Sequence, residues 1–246
     1  MYKSALLIRE RLAKENPQAY EPSLASSYNG MAILYSDTQR VRESEEMYKS
    51  ALSIRERLAK ENPQAYEPSL ASSYNGMAIL YSDTQRVRES EEMYKSALSI
   101  RERLAKENPQ AYEPSLASSY NGMAILYSDT QRLRESEDMF KSALAIRERL
   151  AKENSQAYEP DLAVSYNNLA ILYSNTQRFR ESEEMYKSAL AIRERLAKEN
   201  PLAYEPFLAN TYKQLAELYL SSHRHEESEE MFKSELEIRE RLAKGN

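Results

Sequence analysis

Residues 47–92 read MYKSALSIRERLAKENPQAYEPSLASSYNGMAILYSDTQRVRESEE, and this stretch decides the fold because the chain repeats it. Residues 1–46 differ from it only by Leu7, and residues 93–138 differ from it at two positions. The later copies diverge further but keep the spacing of 46 residues without any insertion. A constant period indicates that every copy occupies an equivalent place in a stack of similar structural units.

The second half of each repeat carries apolar residues at helical spacing. Leu24, Tyr28, Met31 and Tyr35 recur at intervals of three and four residues, which predicts an amphipathic helix over about Pro22–Asp37, named helix A here. Proline is well tolerated in a first helical turn. In the same segment the pair Asn29-Gly30 is typical of a tight hairpin turn. Later repeats carry Asn-Leu-Ala or Gln-Leu-Ala there, so the slot is interpreted as helical and Gly30 as a local weakness of about 1 kcal/mol.

A second apolar stripe predicts helix B over about Val41–Glu61. Asn62 followed by Pro63 indicates its end, with Asn62 in the left-handed cap conformation. The string RERLAKE near that end is interpreted as a solvated outer face, with Glu56 and Lys60 as a pair one turn apart. The members of the stripe are Val41, Met47, Tyr48, Ala51, Ile54 and Leu58.

One helix pair of this length cannot bury both stripes, whereas a stack of such pairs can. The sequence therefore predicts an all-α solenoid of stacked antiparallel helix pairs that forms one domain over residues 1–246. A leading helix B at 1–16 precedes pairs at about 21–62, 67–108, 113–154, 159–200 and 205–246.

Composition excludes several classes of protein. The chain has a net charge of -5 and no cysteine, which argues against nucleic-acid or anionic-membrane binding and excludes disulfides and thiolate metal sites. No apolar run approaches the roughly 20 residues that span a bilayer, and the N-terminus has no signal pattern. A cytoplasmic location is the expectation.

The fourth repeat carries the pattern of a known family. Its string SYNNLAILYSNTQRFRESEEMYKSALAIRERL, residues 165–196, resembles the long tetratricopeptide repeats of kinesin light chains, in which NNLA-x-LY and AL-x-IRE are typical. The first helix pair, residues 21–62, carries the same pattern at Tyr28, Ala32, Tyr35, Tyr48 and Ala51. The matching residues of the fourth repeat are Tyr166, Leu169, Ala170, Tyr173, Phe179, Ser182, Tyr186 and Ala189.

The resemblance implies a right-handed superhelix and a protein-binding scaffold. There are departures from the family pattern. The period is 46 residues rather than 34 or 42. Gln39 stands where the family has a glycine between helices A and B, and Ser44 stands where it has an alanine. We therefore expect the pairwise stacking of the family, but the pitch of the superhelix does not carry over.

The resemblance also implies that helix A lines a concave groove and binds ligands opposite its buried stripe. At 100° per residue, Ser26, Asn29, Ile33 and Asp37 share that face. Stacking aligns each slot into a row, and these rows predict a peptide-binding site that favours an extended, apolar-to-basic peptide. The candidate residues are Asn29, Asn75, Asn121, Asn167 and Asn168; Ile33, Ile79, Ile125 and Ile171; and Asp37, Asp83 and Asp129.

Other interpretations of these rows remain open. The isoleucines could pack on the next helix A, the asparagines could only cap side chains or meet solvent, and near-identical repeats could reflect recent duplication alone. An enzyme is not predicted, because one set of groups recurs in every repeat instead of converging once. His223 and His225 are two residues apart, which a helix would point in different directions, so no metal or cofactor is predicted.

The two ends of the sequence differ. In the last repeat, Glu235 and Glu237 replace small residues, which predicts that this helix faces water and that the array stops near Asn246. The first repeat begins midway with Leu7 and no preceding helix A, which predicts further repeats upstream and possible self-association through that uncapped helix. A sensor segment of a larger protein, or a designed solenoid without a ligand, are the alternative functions.

Overall fold

A computed structural model describes the backbone of residues 2–244 and the side chains of residues 5–244. Within residues 2–244 the chain forms eleven α-helices and no strand. They are α1 (Tyr2–Glu15), α2 (Pro17–Asp37), α3 (Val41–Glu61), α4 (Pro63–Asp83), α5 (Val87–Glu107), α6 (Pro109–Asp129), α7 (Leu133–Glu153), α8 (Ser155–Asn175), α9 (Phe179–Glu199), α10 (Pro201–Ser221) and α11 (His225–Lys244).

The helices form two compact units, an N-terminal unit of Met1–Thr130 and a C-terminal unit of Gln131–Asn246. Within each unit every helix packs against the next one in the chain, and in the N-terminal unit α2 and α6 also touch α4. Even-numbered helices are the predicted A helices, and odd-numbered helices are the B helices. The prediction of an all-α fold of consecutive tetratricopeptide-like helix pairs is confirmed, while a single domain over the whole chain stays a prediction.

The predicted bounds of helix B are confirmed, but the predicted start of helix A is wrong. Helix α2 begins at Pro17, because the side chain of Asn16 accepts a hydrogen bond from the backbone N–H of Ala19 at 3.2 Å. Pro22 lies inside the helix. The left-handed cap predicted for Asn62 is also wrong, since its φ is -143°. That residue ends α3 and caps α4 with its side chain.

The turn between helices A and B explains why the family favours glycine there. Gln39 has a φ of 58° and Gln85 a φ of 61°, in the left-handed region that side chains disfavour by about 1 kcal/mol. The equivalent Gln131, Gln177 and His223 adopt the same conformation. The chain therefore keeps the turn of the family without its glycine.

Two glycines inside A helices permit a close approach of a tyrosine. A Cβ atom added at Gly76 would lie 2.7 Å from the hydroxyl of Tyr48, and one added at Gly122 would lie 2.6 Å from that of Tyr94. Both distances are too short for real carbon atoms. Gly76 and Gly122 are therefore more than the local weakness that helix propensity suggests, whereas a Cβ atom added at Gly30 would meet nothing within 4 Å.

The serine that opens each B helix ties it to the preceding A helix. Ser44 is fully buried, and its hydroxyl donates to the carbonyl of Ala32 at 2.8 Å. Ser90, Ser182 and Ser228 make the same bond one, three and four repeats later. A buried hydroxyl needs such a partner, so serine replaces the alanine of the family without an energetic penalty.

Successive repeats are joined by an ion pair stacked on an aromatic ring. Arg86 donates to Glu45 of the preceding helix B at 2.6 Å, while its guanidinium lies 4.0 Å above the ring of Tyr81. The Tyr81 hydroxyl donates to the same carboxylate at 3.2 Å. Within the C-terminal unit the same arrangement joins Arg178 to Glu137 and Arg224 to Glu183.

These ion pairs predict a loss of stability in acid. Hydrogen bonds from Arg86, opposed in part by burial, hold the pKa of Glu45 at about 2. At Glu137 and Glu183 burial acts in the opposite direction, yet the arginine and lysine partners still hold the pKa at about 2. A carboxylate with a depressed folded-state pKa stabilises the fold above its unfolded pKa, and that contribution is lost as the pH falls through the folded pKa.

We therefore expect each of the three glutamates to contribute about 1 kcal/mol at neutral pH, a contribution that is lost between about pH 4.5 and pH 2. Urea denaturation of the wild type and of Glu45→Gln at pH 7 and pH 3 tests this expectation. The variant should lose less stability than the wild type on acidification. Equal losses in both proteins would contradict the prediction.

Most of the last helix is exposed, as predicted. The prediction rested on glutamate replacing a small residue at two slots, and the structure supports this reasoning at only one of them. In the slot of Glu235 the equivalent Ala97 is fully buried, whereas in the slot of Glu237 the equivalent Ser99 is exposed. Small size at the second slot is therefore not needed for packing, and that interpretation is wrong. The side chain of Glu235 is 15 % exposed and forms an ion pair with Arg239. The predicted end near Asn246 lies outside the described residues.

Candidate functional site

A row of isoleucines follows the exposed side of the A helices in the N-terminal unit. Ile33, Ile79 and Ile125 are 47, 44 and 41 % exposed. Each lies one turn before the end of its helix, and the row recurs because the helix sequence PQAYEPSLASSYNGMAILYSD is identical in α2, α4 and α6. Each side chain is thus only partly covered, and the alternative that it packs on the next helix A stays open.

A row of aspartates runs beside the isoleucines. Asp37, Asp83 and Asp129 are exposed, and none of them forms an ion pair with another described residue. The three A helices of this unit contain glutamate and aspartate but no lysine or arginine. The isoleucine and aspartate rows together are called the A face here, and the A face combines apolar surface with negative charge.

The asparagine row lies below the A face and is already hydrogen-bonded. The side-chain oxygen of Asn29 accepts from Arg55 at 3.3 Å and from the hydroxyl of Ser73 at 2.9 Å. Asn75 makes the same two bonds one repeat later. Since both partners donate, the oxygen must face inward, and only the amide N–H groups remain for a ligand.

The other predicted site residues are less exposed than the isoleucines and aspartates of the A face. Asn121 is half-buried in the slot of Asn75, and Asn167 is only 6 % exposed, with its oxygen accepting from Arg193 at 3.2 Å. Asn168 and Ile171 are half-buried. The structure thus brings the isoleucine and aspartate rows together in the N-terminal unit, whereas in α8 the equivalent residues are the half-buried Ile171 and the exposed Asn175.

A row of buried arginines was missed by the sequence analysis. Arg55 is 7 % exposed, and its Nη1 donates to Asn29, to the hydroxyl of Ser73 and to the carbonyl of Ser69 at 2.9 Å. Arg101 and Arg193 repeat this arrangement. The interpretation of RERLAKE as a solvated outer face is therefore wrong at its first residue.

The remaining residues of that string also take part in contacts. Leu58 and Ala59 are buried, and the predicted partner of Lys60, Glu56, accepts a hydrogen bond from the hydroxyl of Tyr74 on the next A helix at 2.7 Å. A signal for the buried arginine was present in the sequence. Arg55 lies one turn from Ala51 and one turn from Ala59, both small residues of the packed stripe.

A cavity of about 390 Å³ opens at the start of the A face, between α1 and α2. One of its walls is Leu34, which is 40 % exposed, whereas the equivalent Leu80 and Leu126 are each 2 % exposed. Leu7 and Ile8 of α1 are 66 and 53 % exposed. Self-association through this apolar region stays a prediction.

The two histidines are not part of a candidate metal site among the described residues. His223 and His225 are both exposed, with ring centroids 6.3 Å apart in an edge-on arrangement. In the described part of the chain no cluster of three or more histidine, aspartate or glutamate side chains is placed to hold a metal ion. Among the same residues, no helix has the length and apolar character needed to cross a bilayer.

Comparisons with solved structures agree with this arrangement of helices. The structure of BtubC (BKLC) from P. vanneervenii is similar with a TM-score of 0.80 and 24 % identity, over 98 % of this chain and 89 % of that chain. A putative kinesin light chain with nearly identical repeats from Podosopora anserina gives a TM-score of 0.69 and 19 % identity, over 90 % and 97 %. The apo form of RapI gives a TM-score of 0.72 and 17 % identity, over 96 % and 59 %. At such identities these likenesses concern the fold.

No curated protein matches the sequence significantly. The profile of the tetratricopeptide repeat, in contrast, matches residues 23–103, 69–149, 115–195 and 161–241, which together cover most of the chain. Members of this family are typically non-enzymatic scaffolds for protein interactions. The repeated helix pairs, their spacing and this match show that the chain belongs to the tetratricopeptide repeat family.

Proposed function

We propose that the A face binds an extended peptide in which apolar and basic residues alternate. The carrying observation is the pair of parallel rows on α2, α4 and α6, one of exposed isoleucines and one of unpaired aspartates. Isoleucine supplies apolar contact area, and a row of carboxylates favours a cationic partner. The inward-facing asparagine oxygens leave amide N–H groups that can donate to peptide carbonyls.

The asparagines are poor positions for a test, because Asn75 holds Arg101 and Ser119 in the buried network. Ile79 is better, since it is exposed and makes no such contact. Ile79→Lys removes apolar area and places a cation beside Asp83. Lysine also has a higher helix propensity than isoleucine, so the helix should remain intact.

We expect a labelled peptide that alternates Leu and Lys to bind the full chain, and its Leu–Glu counterpart to bind at least tenfold more weakly. Ile79→Lys should weaken binding of the first peptide at least tenfold, about 1.4 kcal/mol. Ser99→Lys adds the same charge on an exposed position of the neighbouring helix α5 and should leave the affinity unchanged. Fluorescence anisotropy measures all four affinities.

Equal weakening by both substitutions would show that the peptide only senses the net charge of the chain. Equal binding of both peptides would show that the aspartate row has no part in recognition. Either result would overturn the proposal. Thermal denaturation of both variants confirms that the comparison is made between folded proteins.

A further inference from the structure

The buried arginine of the fourth helix pair, Arg193, lacks a contact that Arg55 and Arg101 make in the first two pairs. Nη2 of Arg55 lies 3.5 Å from the hydroxyl of Ser26, and Nη2 of Arg101 lies 3.5 Å from that of Ser72. The residue in the same slot beside Arg193 is Val164, which has no hydroxyl. Nη1 of Arg193 still donates to Asn167 and to a main-chain carbonyl, each at 3.2 Å. Its Nη2 has no hydrogen-bond acceptor among the described residues.

A cavity of about 200 Å³ opens at this point, inside the C-terminal unit. Its walls are largely apolar and come from α8, α9 and α10. Phe207 is 54 % exposed and Val164 is 36 % exposed, so the cavity opens to solvent on that side. Arg193, which is 6 % exposed, borders it. The remaining lining residues are Pro160, Asp161, Ala163, Leu196 and Tyr204.

Among the described residues, no carboxylate forms an ion pair with this guanidinium. Burial lowers the pKa of Arg193 to about 10, so the group remains protonated at neutral pH. Asp161 lies at the rim of the cavity, but its charge acts on Arg147 instead. A buried cation with unused donors beside an apolar cavity favours an anion that can also fill apolar space.

We propose that this cavity binds a small monocarboxylate whose carboxylate is attached to an apolar group. The carboxylate accepts from the free donors of Arg193, and the apolar group packs against Val164, Tyr204 and Phe207. The negative charge of Asp161 at the rim disfavours dianions. This site is separate from the A face and has the opposite charge preference. The same chemistry is present in a free apolar acid and in the C-terminus of a peptide.

Phenylacetate is a suitable probe, with neutral phenylacetamide as its control. In calorimetric titrations of the full chain we expect phenylacetate to bind with one site and phenylacetamide to bind at least tenfold more weakly. Val164→Ser restores the hydroxyl that Arg55 and Arg101 have in their repeats. That substitution introduces the residue of the first three repeats, so folding should be maintained, and phenylacetate affinity should fall at least tenfold.

The N-terminal unit offers a gain-of-site experiment around Arg101. Ser72→Val and Ser115→Phe reproduce the slots of Val164 and Phe207 beside it. The double variant should bind two molecules of phenylacetate instead of one. A further titration then shows whether the natural carboxylate belongs to a free acid or to a peptide C-terminus. It compares the affinity of a short peptide that ends in phenylalanine with that of the same peptide carrying a C-terminal amide. Tighter binding of the free peptide than of phenylacetate indicates a peptide terminus, and the reverse order indicates a free acid.

Absence of phenylacetate and peptide binding would overturn the proposal. So would equal binding of acid and amide, or an affinity that Val164→Ser leaves unchanged. None of these results depends on the A face, because Ile79→Lys should not alter phenylacetate binding.

Discussion

Ala97→Glu is expected to destabilise the N-terminal unit by about 4 kcal/mol. Ala97 is fully buried, and the equivalent Ala51, Ala143 and Ala189 are as well. A glutamate there would place a charge and four further heavy atoms, Cγ, Cδ and the two carboxylate oxygens, in a packed helix interface. The last repeat carries Glu235 in this slot and satisfies it with Arg239.

An internal repeat cannot use the same solution. Arg101 is the counterpart of Arg239, but it already donates to Asn75 and Ser119. Turning Arg101 towards a new glutamate would leave those acceptors without their cation. The substitution therefore either buries an unpaired charge or breaks the buried network.

The matched control is Ser99→Glu, two residues further along the same helix. That slot is exposed, and the last repeat again carries glutamate there, as Glu237. Its effect should stay within about 0.5 kcal/mol. Chemical denaturation followed by circular dichroism measures both variants, and hydrogen exchange localises the loss to α5 and its neighbours. A cost below about 1 kcal/mol for Ala97→Glu would show that the helix interface is not closed around this slot.

Arg101→Met should cost about 3 kcal/mol, although methionine fills similar space. Replacing a buried charge by an apolar residue is often harmless when its partners are replaced too. Here the acceptors stay behind, namely Asn75, Ser119 and the carbonyl of Ser115. They come from two A helices, so the arginine joins neighbouring repeats as well as filling the interface.

Arg103 provides the control because it lies two residues away in the same RER string. Its side chain is 47 % exposed and pairs with Glu67 and Glu107. Exposed ion pairs contribute little, so Arg103→Met should cost less than about 1 kcal/mol. Urea denaturation compares the two variants. Similar losses at both positions would contradict a special role for the buried arginine.

The difference between these two arginines shows where sequence reasoning succeeds and where it stops. The bounds of helix B, Val41–Glu61, follow from an apolar period and a stop signal that are both local. The start of helix A was misplaced because Pro17 and Pro22 both suit a first turn. The choice between them depends on the side chain of Asn16, which caps the helix.

Repetition and helical period were enough to predict consecutive antiparallel helix pairs, and the motif at residues 165–196 was enough to suggest the family. The exposure of the isoleucine row was left open by the sequence and was decided by the structure. The burial of Arg55 depends on Asn29 and Ser73, which lie 44 residues apart in the chain and meet only after two repeats have stacked. The cavity beside Arg193 depends in the same way on Val164 and Phe207 from different helices. Helical period is a property of one segment, whereas a hydrogen-bond partner or a cavity wall from another repeat exists only once the tertiary structure has formed.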